Sequence, residues 1–282
     1  METNIKMHTD GVSYTMDRFD SLWEMLDYAN DNTNKGQSEQ GDESFSETKD
    51  WADAYRLGKD GWQASRPKVD AMLEALRDRI GQRLDMALSV RWDVSGGVVD
   101  VGRWCAGLPD HMIDFPIEPQ EKMGKVVRLF IDYGASSSYT SEYMRQRGVA
   151  ILALIDTLKT LGVSMEIWGE TAVSNTNSTA IHSTVVRLHE PSNRLDIDEL
   201  MFALGHPSML RRVTFGVRER SKVARSINAY AGGGYGKTRT MLFARDMQAD
   251  VRIERLENGN STMMADPVEW VMQTVTGLGL VK

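Results

Sequence analysis

Apolar residues along this chain follow two rhythms, and the change from one to the other divides it. In the first part they recur three and four positions apart. Phe19, Leu22, Trp23, Leu26 and Ala29 form one such stripe, which predicts a helix over 17–29. Residues 30–43 then carry no large apolar side chain and many Asn, Gln, Gly and acidic residues, so they read as a mobile loop or linker. A second helix is expected from about Ser46, burying Trp51, Ala54, Tyr55 and Leu57 until Gly58 and Gly61 weaken it. A third begins with Pro67 in its first turn and runs to about Leu88, with Leu73, Leu76 and Ile80 on its apolar side. From Ser89 to Gln120 the pattern breaks into short β-like pieces and turns around Gly96-Gly97, Pro109, Pro116 and Pro119, which marks a junction.

Beyond the junction, apolar runs alternate with helical patterns, the signature of strands and crossover helices in a largely parallel sheet. Strands are expected at 126–131, 163–168, 184–188, 213–217 and 251–256. The helix over 141–161 presents Ile151, Leu154, Ile155 and Leu158 to the sheet and closes at Gly162. Asp196 with Glu199, and Asp266 with Pro267 and Glu269, open two more helices. The polar run 171–179 reads as a long hairpin loop, which makes the second and third strands antiparallel. The expectation is therefore an α/β domain over 122–282, an open sheet flanked by helices, preceded by an N-terminal helical region and junction over 1–121.

Composition narrows the function classes. A hydrophobic fraction of 41% and a charged fraction of 26% are ordinary for a globular protein, and no apolar run approaches the roughly 20 residues that cross a bilayer. The first residues lack the apolar core of a secretory signal, so a cytoplasmic protein without membrane partners is expected. The single cysteine, Cys105, excludes an internal disulfide and any paired-cysteine zinc site, and is expected to be a buried apolar group. A net charge of -7 argues against a uniformly basic surface for duplex DNA or anionic lipid.

Ligands of open α/β sheets bind at the carboxyl ends of the strands, and the loop after the first predicted strand is Asp132-Tyr133-Gly134-Ala135-Ser136-Ser137-Ser138. Two readings of it stand side by side. An acid followed by hydroxyls at alternate positions can offer hard oxygen ligands to magnesium. The same residues also serve as a helix cap, with Ser138 and Thr140 capping and Asp132 bonded to loop amides. The run VVRLFIDYGASSS, followed by MRQRGVAILALIDTLKTLGVSMEIW, resembles the first strand, metal-site loop, first helix and second strand of a von Willebrand factor A domain. That resemblance implies an Asp-x-Ser-x-Ser metal site, of which Asp132 and Ser136 are present while Gly134 replaces the first serine. It also implies a protein-binding adaptor that engages its partner through Asp132 and its loop, with or without Mg2+.

A second resemblance covers most of the chain. The blocks SFSETKDWADAYRLGKDGW, DVGRWCAGLPDHM, RGVAILALIDTLKTLG and GHPSMLRRVTFGVRE are similar to successive blocks of an uncharacterised protein family of tailed bacteriophages and mobile elements. Similar proteins in some lytic podoviruses include a single-stranded-DNA-binding cofactor that brings the phage RNA polymerase to its promoters. The resemblance therefore implies single-stranded DNA and a phage RNA polymerase as partners.

The residues themselves add to this picture. Arg211, Arg212, Arg218, Arg220, Lys222, Arg225, Lys237 and Arg239 lie in one basic segment of an acidic chain, opposed there only by Glu219. Tyr230 and Tyr235 flank Gly232-Gly233-Gly234 within it, so cations and stacking rings share a pliable loop, as single-strand binders require. The alternative is a solvated basic helix beside a surface loop. Residues 231–238 also fit a relaxed phosphate loop ending in Lys237, with Ala231 at its first glycine. This leaves a nucleotide-dependent enzyme as a third reading. The five histidines show no metal-ligand spacing, and Ser136 lacks a nucleophile elbow. The leading expectation is a non-enzymatic DNA-binding transcription cofactor without a resident cofactor.

Overall fold

A computed structural model of the chain describes residues 2–3, 7–9, 12–31, 33, 36–40, 42–63, 66–88, 91–114, 126–175, 177–227, 237–241, 243, 247–256 and 262–281. Apart from short strands at Glu2–Thr3 and Met7–Thr9 and single helical turns at Gln37–Gln40 and Glu43–Ser46, its elements in chain order begin with β1 (Val12–Phe19), α1 (Leu22–Asn30), α2 (Trp51–Asp60) and α3 (Arg66–Leu88). Next come β2 (Arg91–Asp93), β3 (Val98–Val99), α4 (Val101–Cys105) and β4 (Met112–Asp114). The second half holds β5 (Val127–Asp132), α5 (Ser141–Thr160), β6 (Met165–Ser174), β7 (Ala180–His189) and α6 (Ile197–Gly205). A π-helical stretch over Met209–Thr214 leads into α7 (Phe215–Arg220) and α8 (Lys222–Ser226). β8 (Lys237–Arg239), β9 (Val251–Ile253) and α9 (Pro267–Gly277) complete it.

The fold is α/β: a mixed central sheet flanked by helices. Its long strands run in the order β1-β7-β6-β5-β9, with β8 added beside β6. β5 is parallel to β6 and β9, β6 and β7 form the expected antiparallel pair, and β1 is parallel to β7. β2, β4 and β3 make a separate three-stranded sheet from the junction. Among the described residues, no helix is long and apolar enough to cross a membrane.

The sheet is covered unequally. One face, through Leu129, Ile131, Ile167 and Val186, packs on α1, α5, α6 and α9 in the main core. The other buries Phe130, Trp168 and Val185 under Met241 and Phe243, with the guanidiniums of Arg18 and Arg187 5.0 and 5.6 Å from the Trp168 ring. The caps read from the sequence form except at Ser138, which bonds to Ser136 instead. Thr140 accepts the Tyr143 amide, Asp196 those of Asp198 and Glu199, and Asp266 that of Glu269, while Gly162 takes φ +74 after α5.

Several expectations are corrected. Residues 12–19 are a strand of the central sheet, so the chain before residue 122 is not only helical. The helix starts at Leu22, behind Ser21, whose hydroxyl accepts the Glu24 amide at 3.1 Å. Helical spacing misleads here because Phe19 enters the core from the strand's end. α2 runs through Gly58, where a Cβ would come within 2.7 Å of Leu26, and ends at Gly61 with φ +77. β6 extends to Ser174, through half of the expected loop, because its polar residues have partners inside the protein. Glu170 accepts the Ser183 hydroxyl at 2.8 Å, and Ser174 accepts from Arg239 at 2.9 Å. The expected strand at 213–217 is helical, with Val213 and Val217 sharing one buried side. The last strand stops at Ile253, leaving Leu256 in a single parallel bridge to Ala135. Cys105 is exposed at the end of α4.

Candidate functional site

The carboxyl end of β5 and β6 brings together the two regions singled out in the sequence. β5 stops at Asp132, which pairs with Glu170. Two residues further along β6, Ala172 pairs with Arg239, and Ser174 pairs with Lys237. β8 therefore fills the position beside β6 that β5 vacates, and the end of the basic segment sits next to the Asp132 loop.

Asp132 is the interior part of this site. Its side chain is wholly buried, and Oδ1 accepts the Gly134 amide at 2.8 Å. Oδ2 has no hydrogen-bond partner among the described residues. Burial, with the negative charge of Glu170 adding to it, pushes this carboxyl up to about 7 against the donation from Gly134 and the charge of Arg147. Arg147 reaches from α5 beneath the loop, donating to the main-chain oxygens of Asp132 at 2.7 Å and Glu254 at 2.8 Å. Its burial lowers it to about 10, with Asp132 opposing the shift.

The loop does not fit a magnesium ion held in the manner of Asp-x-Ser-x-Ser. A Cβ on Gly134 would meet Asp132 Oδ1 at 2.8 Å and Thr171 Oγ1 at 2.9 Å, so the missing serine has no room. Its place is taken by the Thr171 hydroxyl, which accepts from the buried Arg218 at 3.4 Å. Ser136 is exposed and accepts the Ser138 amide at 3.4 Å and its hydroxyl at 3.1 Å, a turn contact. Among the described residues, no group of three or more His, Cys, Asp or Glu side chains is arranged to hold a metal. Asp132 itself is buried, while Ser136, Ser137 and Ser138 of its loop are exposed.

The basic segment separates into an inner and an outer set. Arg211, Arg212 and Arg218 are 4%, 0% and 1% exposed, so assigning them to a nucleic acid is corrected. Arg211 and Arg212 direct their donors to the protein's own oxygens, and Arg218 donates to Thr171 O at 3.3 Å. Arg212 donates to Thr48 Oγ1 at 2.7 Å, Thr48 O at 2.8 Å and Ser38 O at 2.9 Å; Arg211 donates to Tyr139 O at 2.8 Å and to Phe45 O. Glu219 accepts the Ser38 amide at 3.0 Å. The described part of the polar region read as a mobile linker is thus held by buried charges, and Arg211 and Arg212 lie in the π-helical stretch. No hydropathy pattern signals this, because an arginine that binds main-chain oxygens inside a protein looks like a surface arginine in the sequence.

The outer set faces solvent. Lys222 and Lys237 are exposed, and Arg220, Arg225 and Arg239 are partly so. Arg220 is engaged with the Tyr28 carbonyl and, at 3.2 Å, with Asp31, whereas Lys222, Lys237 and Arg225 are the more available cations and Arg239, partly exposed, donates to the hydroxyls of Ser174 and Ser178. They share one end of β6. Ala224 of α8 packs with Val173 on one face of that strand, while Arg239 donates to Ser174 on the other. Tyr230, Tyr235 and the glycines at 232–234 lie outside the described residues. Lys237 opens a β-strand rather than a helix, the opposite of what a phosphate loop requires.

One further feature was missed in the sequence. The small junction sheet and α4 expose Trp92, Val94, Val98, Val101, Trp104 and Leu108. Short β-like pieces among turns signal a connector, and their exposure among the described residues is what makes them a surface.

A family model described as "Domain of unknown function (DUF7192)" matches residues 4–281. No curated protein and no solved structure matches the chain.

Proposed function

The chain belongs to the family described as Domain of unknown function (DUF7192), and from its site we propose a non-enzymatic single-stranded-DNA-binding protein that recruits an RNA polymerase to promoter DNA. The observation that carries this reading is the pairing of β8 with the end of β6. It sets Lys237 and Arg239 at the strand end against which α8, with Lys222 and Arg225, also packs. The glycine-rich residues 231–236 and their tyrosines belong to the segment that joins these two elements. Cations that follow a phosphate backbone, with tyrosines on which bases can stack in the intervening sequence, suit a single strand better than a duplex.

Recruitment of a polymerase needs a second surface. The exposed indoles and aliphatic side chains of the junction sheet are of the kind that bind proteins, and they belong to a different sheet from the cations. The sequence resemblance to a phage family with a polymerase cofactor among its relatives agrees with this division.

The test replaces Lys222, Arg225, Lys237 and Arg239 together by alanine and measures retention of a labelled single-stranded oligonucleotide. The reading expects binding by the wild type and at least a tenfold loss in the variant, which should stay folded with a melting temperature lowered only by the loss of the Arg239 bonds to Ser174 and Ser178. Undiminished binding by the folded variant would contradict the assignment.

A further inference from the structure

The antiparallel turn between β6 and β7 gives the sheet a second carboxyl end. β1 and β7 are parallel to each other and run opposite to β6, so their loops emerge at the end away from Asp132. The crevice there has a volume of about 220 Å3 and is lined by residues that include Asp20, Trp23, Arg187, Glu190, Arg194 and Glu199. The first turns of α1 and α6 border it, one behind the Ser21 cap and the other behind Asp196. This is the position at which α/β sheets receive small ligands.

Its charges are unevenly used. Arg187 is taken up inside the protein, with Nη2 3.6 Å from Asp20 Oδ1, a further ion pair to Glu190, and Nε donating to Asp20 O at 3.3 Å. Asp196 spends one oxygen on the Asp198 and Glu199 amides, at 2.9 and 3.1 Å. The Glu199 carboxylate has neither a hydrogen bond nor an ion pair among the described residues. Burial, and then the like charge of Asp196, raise it to about 7, so a cation beside it would be stabilised. Across the crevice Trp23 is 53% exposed, and its ring already attracts an ammonium, with Lys59 Nζ 4.5 Å from the centroid.

We propose that this crevice binds a small organic cation with a guanidinium or alkylammonium head, its charge paired with Glu199 and its stem resting on the indole of Trp23. The site is separate from the outer cations of β8 and α8, and it stands or falls independently of DNA binding. Arg194, the exposed cation of the lining, would weaken such a ligand by like-charge repulsion.

Calorimetric titration of the full chain with Nα-acetylarginine amide tests this, with Nα-acetylcitrulline amide as the neutral isostere. The expected result is saturable binding of the arginine compound at least tenfold tighter than the citrulline compound. Glu199→Gln and Trp23→Ala should each weaken it at least fivefold, and Arg194→Ala should tighten it. Glu199→Gln is expected to fold, since its carboxylate has no bond to hold among the described residues. Equal affinity for the two amides, or undiminished binding by Glu199→Gln, would overturn the proposal, as would weaker binding by Arg194→Ala.

Discussion

Asp132 and Arg212 show how much one buried ionisable side chain decides in this protein. The folded chain keeps the Asp132 proton up to about pH 7, whereas the carboxyl's ordinary value is 3.8. Its contribution to stability is therefore complete below pH 4 and is lost as pH rises through 7. Asp132→Asn removes that titration. Relative to wild type, the variant should gain about 2–4 kcal/mol in unfolding free energy between pH 4 and pH 8, since each pKa unit is worth roughly 1.4 kcal/mol. Denaturant titrations at the two pH values check this, and a constant difference between the proteins would contradict it. His206 acts in the opposite sense. Burial first, then the charge of Arg145, lower it to about 3 against the attraction of Asp53, so it costs stability as pH falls below 6.5. Proton NMR should show its ring neutral at pH 5.

Arg212 belongs to the architecture. Arg212→Ala strands the oxygens of Ser38 and Thr48 in the interior and should cost about 3 kcal/mol or more, seen as a fall in the denaturation midpoint. Arg212→Lys should recover only part of this, because an ammonium cannot reproduce the guanidinium fork. A variant as stable as wild type would show that those bonds contribute little.

Among the elements, legibility followed the local signal. α5, α6 and α9 announce themselves through caps and periodicity, and the antiparallel β6-β7 pair follows from the polar run between its apolar cores. β1 was hidden because Asp17 and Thr15, polar residues that usually point to solvent, are buried beside His182 and Thr184. The extension of β6 was hidden for the same reason, since Thr171 and Ser174 look like loop residues until their partners are known. The strand expected at 213–217 is helical, and Val213 and Val217 are buried together on one helical side. Of the candidate site, the sequence located the Asp132 loop and the basic segment but could not divide inner arginines from outer cations. Helix contact makes its own prediction. A Cβ on Gly148 of α5 would come within 2.7 Å of the Gly205 backbone in α6, so Gly148→Ala should destabilise by about 1–3 kcal/mol through overpacking. A rise in melting temperature for that variant would contradict this close approach.

At the scale of the molecule, functional features fall on separate parts of the fold. The outer cations lie at one end of the central sheet, the crevice of Trp23 and Glu199 at the other, and the apolar side chains on the junction sheet. The buried arginines that dominate the basic segment in sequence serve to hold the polar region around residues 38–48 against the π-helical stretch. The central claim is that the outer cations bind single-stranded DNA, and its direct test is the salt dependence of that affinity. Wild type should show log K falling linearly with log salt, and replacing Lys222, Arg225, Lys237 and Arg239 by alanine should flatten the slope by up to about 3, at roughly 0.7 per single-strand phosphate contact. Affinity that is independent of salt, or a slope unchanged in the variant, would contradict the account.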